Sequence, residues 1–481
     1  MRKLFLVVIT FLLPLPVVAH VNSPDVYFDG AAGPYRLLVT IQPPAVIPGV
    51  AEIQIRSADR DVDQIRIVPL KMIGANLPPT PDVAERSATD PQLFRGKLWI
   101  MARGSWKVQI VAGGAKGTGE MFVPLPAAST YSAKMHAGLG GLLAILGILL
   151  VAGIVGIVGA AAREAGLRAG QSRDKARQKR GHVREAIATV IVVVLLFGGE
   201  RWWRAEAADN SRLNYKVPQL QAELQAGNVL RLSLENPNIV EIDRYGVKPS
   251  DEFLINDLVP DHGHLMHFFL VRMPDMKSFW HLHPQQTADG QFAMDLPSIP
   301  AGHYQMCADI VHHTGFPETE VGAIDLPSIS GQTLAGDDAG GADLAPSETV
   351  SKLSDGYRMV WQRDTAPLHA NEPLWFRFRI EDGGGKPATG MENYMGMAAH
   401  AAFISTDGKV FAHVHPAGSV AMAAEMLAAG SAHDMMAMQS AAPGAEISFP
   451  YGFPRTGDYR IFVQVKRAGR VETGAFLAHV N

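Results

Sequence analysis

The chain has 481 residues, room for several domains, and a formal net charge of −4, which gives no basis for a nucleic-acid partner. Its one cysteine, Cys307, excludes a disulfide within the chain. The informative excess is 17 His, because all but His20, His136, His182 and His479 fall between positions 262 and 433.

In chain order, residues 1–19 read as a signal peptide. Arg2 and Lys3 precede an apolar core, and Val17-Val-Ala19 is a small-residue cleavage site that would leave His20 as the mature N-terminus. Residues 20–128 carry alternating runs such as Ala51-Glu-Ile-Gln-Ile-Arg56, broken by Pro and Gly, and are expected to form a β-sandwich closed by a hairpin of 105–111 with 120–123. Residues 137–162 are uncharged and long enough to span a bilayer, with Gly153, Gly156 and Gly159 suited to close helix packing. A basic loop, 163–185, leads into a second, shorter span at 186–203 that ends on Trp202 and Trp203. Basic loops stay in the cytoplasm, so both flanking parts of the chain are expected in the periplasm of a bacterial inner membrane.

Residues 205–328 and 349–481 are an internal repeat, with 329–348 as a Gly/Asp/Ala-rich linker. Val229-Leu-Arg-Leu-Ser-Leu234 matches the 374–380 run, and Gly302-His-Tyr304 matches Gly457-Asp-Tyr459. Gly104-Ser-Trp106 fits the same closing strand. The expected fold is therefore mainly β: three Ig/cupredoxin-like β-sandwich domains, with a two-helix transmembrane hairpin between the first and second.

A histidine hairpin occurs once in each repeat copy. The first copy has His264, His267, His281 and His283; the second has Met397, His400, His413 and His415. Asp407-Gly408 marks a two-residue loop, which sets His400 opposite His415. A three-residue loop, 274–276, sets His267 opposite His283. Opposed Cβ atoms lie roughly 5 Å apart and positions i and i+2 share a face, so each hairpin offers three imidazoles together. Odd spacing places His264 and Met397 on the other face of a regular strand. Three imidazoles suit copper, as Cu(I) or Cu(II), or zinc, and a thioether favours Cu(I). A flexible linker would leave the two sites separable. The opposing interpretation is a structural His-x-His-Pro strand end.

Residues 417–444 form an insertion with Met422, Met426, His433, Met435, Met436 and Met438, either a soft-metal trap or a short helix packed on the sandwich. Cys307 reads as a packed free thiol. His20, through its amine and ring, is a further candidate ligand.

His20-Val-Asn-Ser-Pro and the Pro-rich sandwich after it resemble the FixH/YtkA-like and CopC-like periplasmic domains. The CopC resemblance implies copper at a mature N-terminal His, although that family's second histidine has no counterpart in 20–128. The order of sandwich, two spans and sandwich is also similar to the B subunit of copper membrane monooxygenases, whose His-x-His in the first domain is missing here.

These readings point to a membrane-anchored periplasmic copper-binding protein for metal sequestration or delivery, with a periplasmic or membrane copper protein as partner. The alternatives are a subunit of a membrane copper oxidoreductase and a structural or sensory ectodomain. No nucleophile–base constellation, nucleotide loop or paired-acid motif appears in the sequence. For the topology, a phosphatase reporter fused within 163–185 is expected to be inactive and a C-terminal fusion active. Activity from the first fusion contradicts the assignment.

Overall fold

The computed structural model describes residues 25–74, 77–132, 135–168, 170–172, 174–212, 214–235, 255–430 and 442–481. The signal peptide, His20, His433, Met435, Met436 and Met438 lie outside the described residues. The chain is mainly β. One body contains the described residues up to Ala128 together with Lys216–Asn481, and a second is Ser129–Tyr215.

In the second body, α1 (Ala137–Glu164) and α2 (Lys175–Arg212) are long and apolar enough to cross a membrane. The basic stretch is less of a loop than the sequence suggests. Residues 175–185 already belong to α2, because Lys, Arg, Gln and Glu are good helix formers in a run with no Gly until 181. Of the three expected packing glycines only Gly159 makes a close approach. A Cβ there would fall on the Glu185 carboxylate, which pairs with Arg163 at 2.8 Å, whereas Gly153 and Gly156 meet nothing within 4 Å.

The first β region is an eight-stranded arrangement running from Val26–Ala32 to Gly117–Ala127. The expected closing hairpin is there, with Val108 opposite Val123 and Val111 opposite Glu120. The second region is a nine-stranded sheet around Phe268, Leu270, Trp280 and Met306. The third has a four-stranded and a five-stranded sheet around Phe376, Phe378, Phe403 and Phe476. All three regions make the same corner: Trp106 Nε1 donates to Ala102 O at 2.9 Å, Tyr304 Oη to Pro300 O at 2.7 Å and Tyr459 Oη to Arg455 O at 2.9 Å.

The repeat copies pack on one another. Strand His267–Met273 buries Phe268 and Leu270 in its own core and turns Phe269 and Val271 the other way. Strand His400–Ser405 does the same with Ala401 and Phe403 against Ala402 and Ile404. The outward faces meet in a shared apolar layer, where Phe279 stacks on Phe462 at 4.3 Å and Phe269 meets Phe411 at 4.9 Å. Cys307 is buried in this layer as a free thiol, and burial pushes its pKa up.

One expectation about the connections fails, and the insertion does contain the short packed helix that one reading of it expected. The 329–348 stretch is no flexible linker: Ala339–Gly341 forms an edge strand that pairs with Phe279–Leu282, His281 opposite Ala339. Its Gly and Asp content reflects a tight path with specific partners. The insertion forms α3 (Met422–Ala429), which buries Ala423, Ala424 and Ala428, whereas Met426 is exposed and Met422 half-buried. Val420 and Ala424 join the core of the first β region, and Lys107 Nζ donates to Ala428 O at 2.8 Å.

The Phe279–Phe462 stack makes a specific demand. Phe462→Ala should cost about 3–5 kcal/mol, the usual range for deleting a buried Phe, and lower the thermal midpoint of the full-length protein in detergent. An unchanged midpoint would mean that the shared layer does not hold the two copies together.

Candidate metal centre

The hairpin registers set the histidines. Phe268 pairs with Leu282 and Ala401 with Val414, so one step further brings His267 opposite His283 and His400 opposite His415. Their ring centroids are 5.1 and 4.9 Å apart. The second turn is wider than a two-residue loop. Gly408 N–H donates to Ser405 O at 2.8 Å, Ser405 N–H to Val410 O at 2.9 Å, and Asp407 Oδ1 accepts from Ser405 Oγ at 2.7 Å. The side-chain bond to Asp407 favours the wider turn, and the register is the same in either case.

His267, His281, His400 and His413 all lie on the face that turns toward the other copy, at one end of the shared apolar layer. Two groups emerge in which one ligand atom per residue lies within 4.8 Å of the others: a first cluster of His267, His281 and His283, and a second of His262, His400 and His415. They lie close together and not in two domains held apart by a linker. His413 lies 5.4 Å from His267 and 5.3 Å from His281, centroid to centroid. His262, from the second β region, completes the cluster of the third.

His262 escaped the sequence reading because it precedes the strand. It sits in a tight turn, Asp261-His262-Gly263-His264, whose ends exchange backbone hydrogen bonds at 2.8 and 2.9 Å. His262 and Gly263 have φ of 51° and 87°. The left-handed turn breaks the strand's alternation, which overturns the opposite-face placement of His264. Its ring stacks on His283 at 3.9 Å, and its Nε2 lies 3.3 Å from Asp337 Oδ2. Met397 ends the equivalent turn and is half-buried, with its backbone bonded to Tyr394. The signal was there to read: Asp261-His-Gly-His264 aligns with Tyr394-Met-Gly-Met397.

The hydrogen bonds assign the protons. In the first cluster, His267 Nε2 faces Asp261 O at 3.1 Å, His281 Nδ1 faces Gln464 Oε1 at 3.0 Å and His283 Nδ1 faces Asp338 Oδ1 at 3.0 Å. In the second, His400 Nε2 faces Tyr394 O at 3.2 Å, His415 Nδ1 faces Val420 O at 3.2 Å and His262 Nδ1 faces Met395 O at 2.9 Å. His413 Nδ1 lies 3.3 Å from Asp309 Oδ2. A neutral imidazole has one N–H, so in the six rings hydrogen-bonded to an oxygen that oxygen takes the proton and leaves the other nitrogen with a lone pair. Those nitrogens converge. Nε2 of His262, His283 and His415 is buried without a hydrogen-bond partner, and that of His262 lies 3.9 Å from Asp261 Oδ2. His267 Nδ1 faces His281 Nε2 at 3.0 Å, and His400 Nδ1 faces His413 Nε2 at 3.1 Å.

Two facing lone pairs repel unless a proton or a cation lies between them. Two nitrogens bound to one ion at ~2.0–2.1 Å lie roughly 2.9–3.4 Å apart for angles between 90° and 110°, which matches both contacts. The outer oxygens are the orienting partners that metal-bound histidines use. Gln464 reaches across from the third region to His281, and Asp309 from the second to His413. Asp261 also accepts from Ala423 N–H at 2.7 Å, so the histidine turn caps α3, and the same insertion supplies Val420 O to His415.

Burial, reinforced by the neighbouring imidazoles, pushes His267, His281, His400 and His413 well below the usual histidine pKa. Burial also lowers His283, and it brings His415 down to about 3. A separate pair behaves oppositely: burial pulls His312 down, but its contacts with Asp257 and Glu318 outweigh this and hold it at about 9.

Comparison with known proteins leaves the centre unnamed. Residues 350–481 match a domain of unknown function (DUF8832). No curated protein matches the chain. An engineered protein is 18% identical over 20% of this chain and 21% of its own, with a TM-score of 0.16. Dimeric latent PorU from Porphyromonas gingivalis is 8% identical over 95% and 34%, at 0.15. The native conformation of E. coli alpha-2-macroglobulin is 9% identical over 94% and 23%, at 0.20. The chain thus spans at most about a third of these three proteins, and overlaps this poor carry no functional argument.

The neutral cluster implies a pH signature. The unfolded chain takes up protons near the ordinary value of 6.5 while folded His415 does so only at about 3. Stability of the metal-free protein is therefore expected to fall as pH drops from 6.5 toward 3, since the unfolded state then binds more protons. His312 has the reverse sign: its contribution is complete below 6.5 and is lost as pH rises through about 9. A thermal midpoint that stays level between pH 7 and 4.5 contradicts a buried neutral cluster.

Proposed function

We propose that this protein holds copper ions at the two histidine clusters, anchored by α1 and α2 in the bacterial inner membrane with its β regions in the periplasm, and that it sequesters or delivers the metal. The observation that carries this reading is the convergence of lone pairs. In each cluster every ring has its N–H turned to an oxygen and its bare nitrogen turned inward. Structural histidines have no reason to bring bare nitrogens together, whereas a metal requires it.

Imidazole donors suit Cu and Zn alike, and for a given donor set Cu(II) outranks Zn(II) in affinity. All six histidines of the two triads are buried, which favours retention over turnover, because catalytic metals keep an open coordination position. His264, Asp337 and Asp338 form the partly open edge of the first cluster, with side chains 23%, 32% and 29% exposed, and give exchange with a partner copper protein a way in.

Metal analysis of the full-length protein, purified in detergent and loaded with copper, tests the reading. Wild type should carry two ions per chain, one per cluster. The His281→Ala/His283→Ala and His413→Ala/His415→Ala double variants should each lose about one ion. His262→Ala should weaken the second cluster although it lies in the other repeat copy. Because neutral imidazole is the ligand form, metal binding should weaken as pH falls. Equal metal in all variants, or none in any, would make the histidines structural. Retention of zinc alone would correct the metal and keep the site.

A further inference from the structure

The two clusters are alike in their hairpins and differ in the turns that precede them. We propose that Met395 is a fourth donor to the first cluster, making that site selective for Cu(I) beside an all-imidazole site. The inference rests on the reading above that the clusters hold copper, and it assigns a ligand and an oxidation state within that reading.

Asp261-His262-Gly263-His264 and Tyr394-Met395-Gly396-Met397 are both closed by paired backbone hydrogen bonds, at 2.8 and 2.9 Å in the first and 2.7 and 3.1 Å in the second. His262 and Met395 both have φ of 51°, and Gly263 and Gly396 have 87° and 78°. Left-handed turns of this kind favour Gly, Asn or Asp. Both copies instead place a large side chain at the strained position, and strain of this sort collects where a side chain must be aimed. The two residues used, His and Met, have in common the ability to donate to copper.

The exchange between copies runs in both directions. The His262 ring leaves its own copy and joins His400 and His415. Met395 sits at the border of the two copies, with Val471 of its own copy packed against its group. Its side chain is buried in a small group with Ala339 and Tyr394. Ala339 is the register partner of His281, and Tyr394 Oη lies 3.5 Å from His281 Nδ1. Met395 is therefore packed among residues that border His281 of the first cluster. The turns are tied together, since His262 Nδ1–H donates to Met395 O at 2.9 Å. Gln464 and Asp309, which orient His281 and His413 from the opposite copy, obey the same exchange.

The chemistry then separates the sites. Three imidazoles and a thioether make a four-donor set with soft character, which Cu(I) prefers over Zn(II) and Cu(II). The second cluster, with imidazoles alone, has no such bias. A chain holding both could keep copper in either oxidation state.

The test is X-ray absorption on full-length protein in detergent, loaded with Cu(I) under an anaerobic reductant, combined with competition against a Cu(I) chelator. Wild type should show a copper–sulfur shell. Met395→Leu should lose it and retain Cu(I) at one of its two sites about tenfold or more weakly. Met397→Leu should keep the sulfur shell. Met395→His guards against misfolding: it should bind two ions, with no sulfur shell. If wild type binds two copper ions without a sulfur shell, or Met395→Leu keeps one, the Met395 assignment is overturned while the copper reading stands. A wild-type chain that binds no copper overturns both.

Discussion

Seven imidazoles, six of them kept uncharged by burial, are shut between two packed sheets, and the rest of the molecule answers to that constraint. A buried polar nitrogen left without a partner costs about 1–3 kcal/mol, and His262, His283 and His415 each have one. The two facing nitrogen pairs add a repulsion that only a proton or a cation relieves. Apolar contacts in the other half of the same layer, led by Phe269, Phe279, Phe411 and Phe462, hold the sheets together against this. A bound ion would change the balance decisively, because a structural zinc site contributes apparent binding free energies of about 10–16 kcal/mol.

The architecture around the layer serves its orientation. Each imidazole lies against an oxygen, and several of these oxygens come from outside the ring's own hairpin. Asp338 comes from the segment between the repeats, Val420 from the insertion, and Asp309 and Gln464 from the opposite copy. The insertion also binds the first β region, where Tyr27 N–H donates to Ser419 Oγ at 3.1 Å and Asp29 N–H to Ala417 O at 2.7 Å. Ala417 and Ser419 lie two and four residues from His415.

The hairpins were legible in the sequence because parity is robust. Each loop's residue count fixes which histidines oppose, and widening the Asp407-Gly408 turn from two to four loop residues moves no partner. The repeat was legible for the same kind of reason: Gly302-His-Tyr304 and Gly457-Asp-Tyr459 repeat a corner that the backbone reuses. His262 was not legible by alternation, because a left-handed turn abolishes the period that alternation assumes. The meeting of the two copies was hidden as well. Strand His267–Met273 is apolar on both faces, and the sequence does not say which neighbour covers the second face. The 329–348 segment misled through composition, since Asp337 and Asp338 look like linker residues until Tyr394, His264 and His283 are placed against them.

The account stands or falls on metal at the convergence of the bare nitrogens. Anomalous diffraction at the copper edge, from crystals of the copper-loaded protein, tests it most directly. The account predicts two peaks, one enclosed by His267, His281 and His283 and the other by His262, His400 and His415. Density free of anomalous signal at both places, with the His267–His281 and His400–His413 contacts intact, would contradict it.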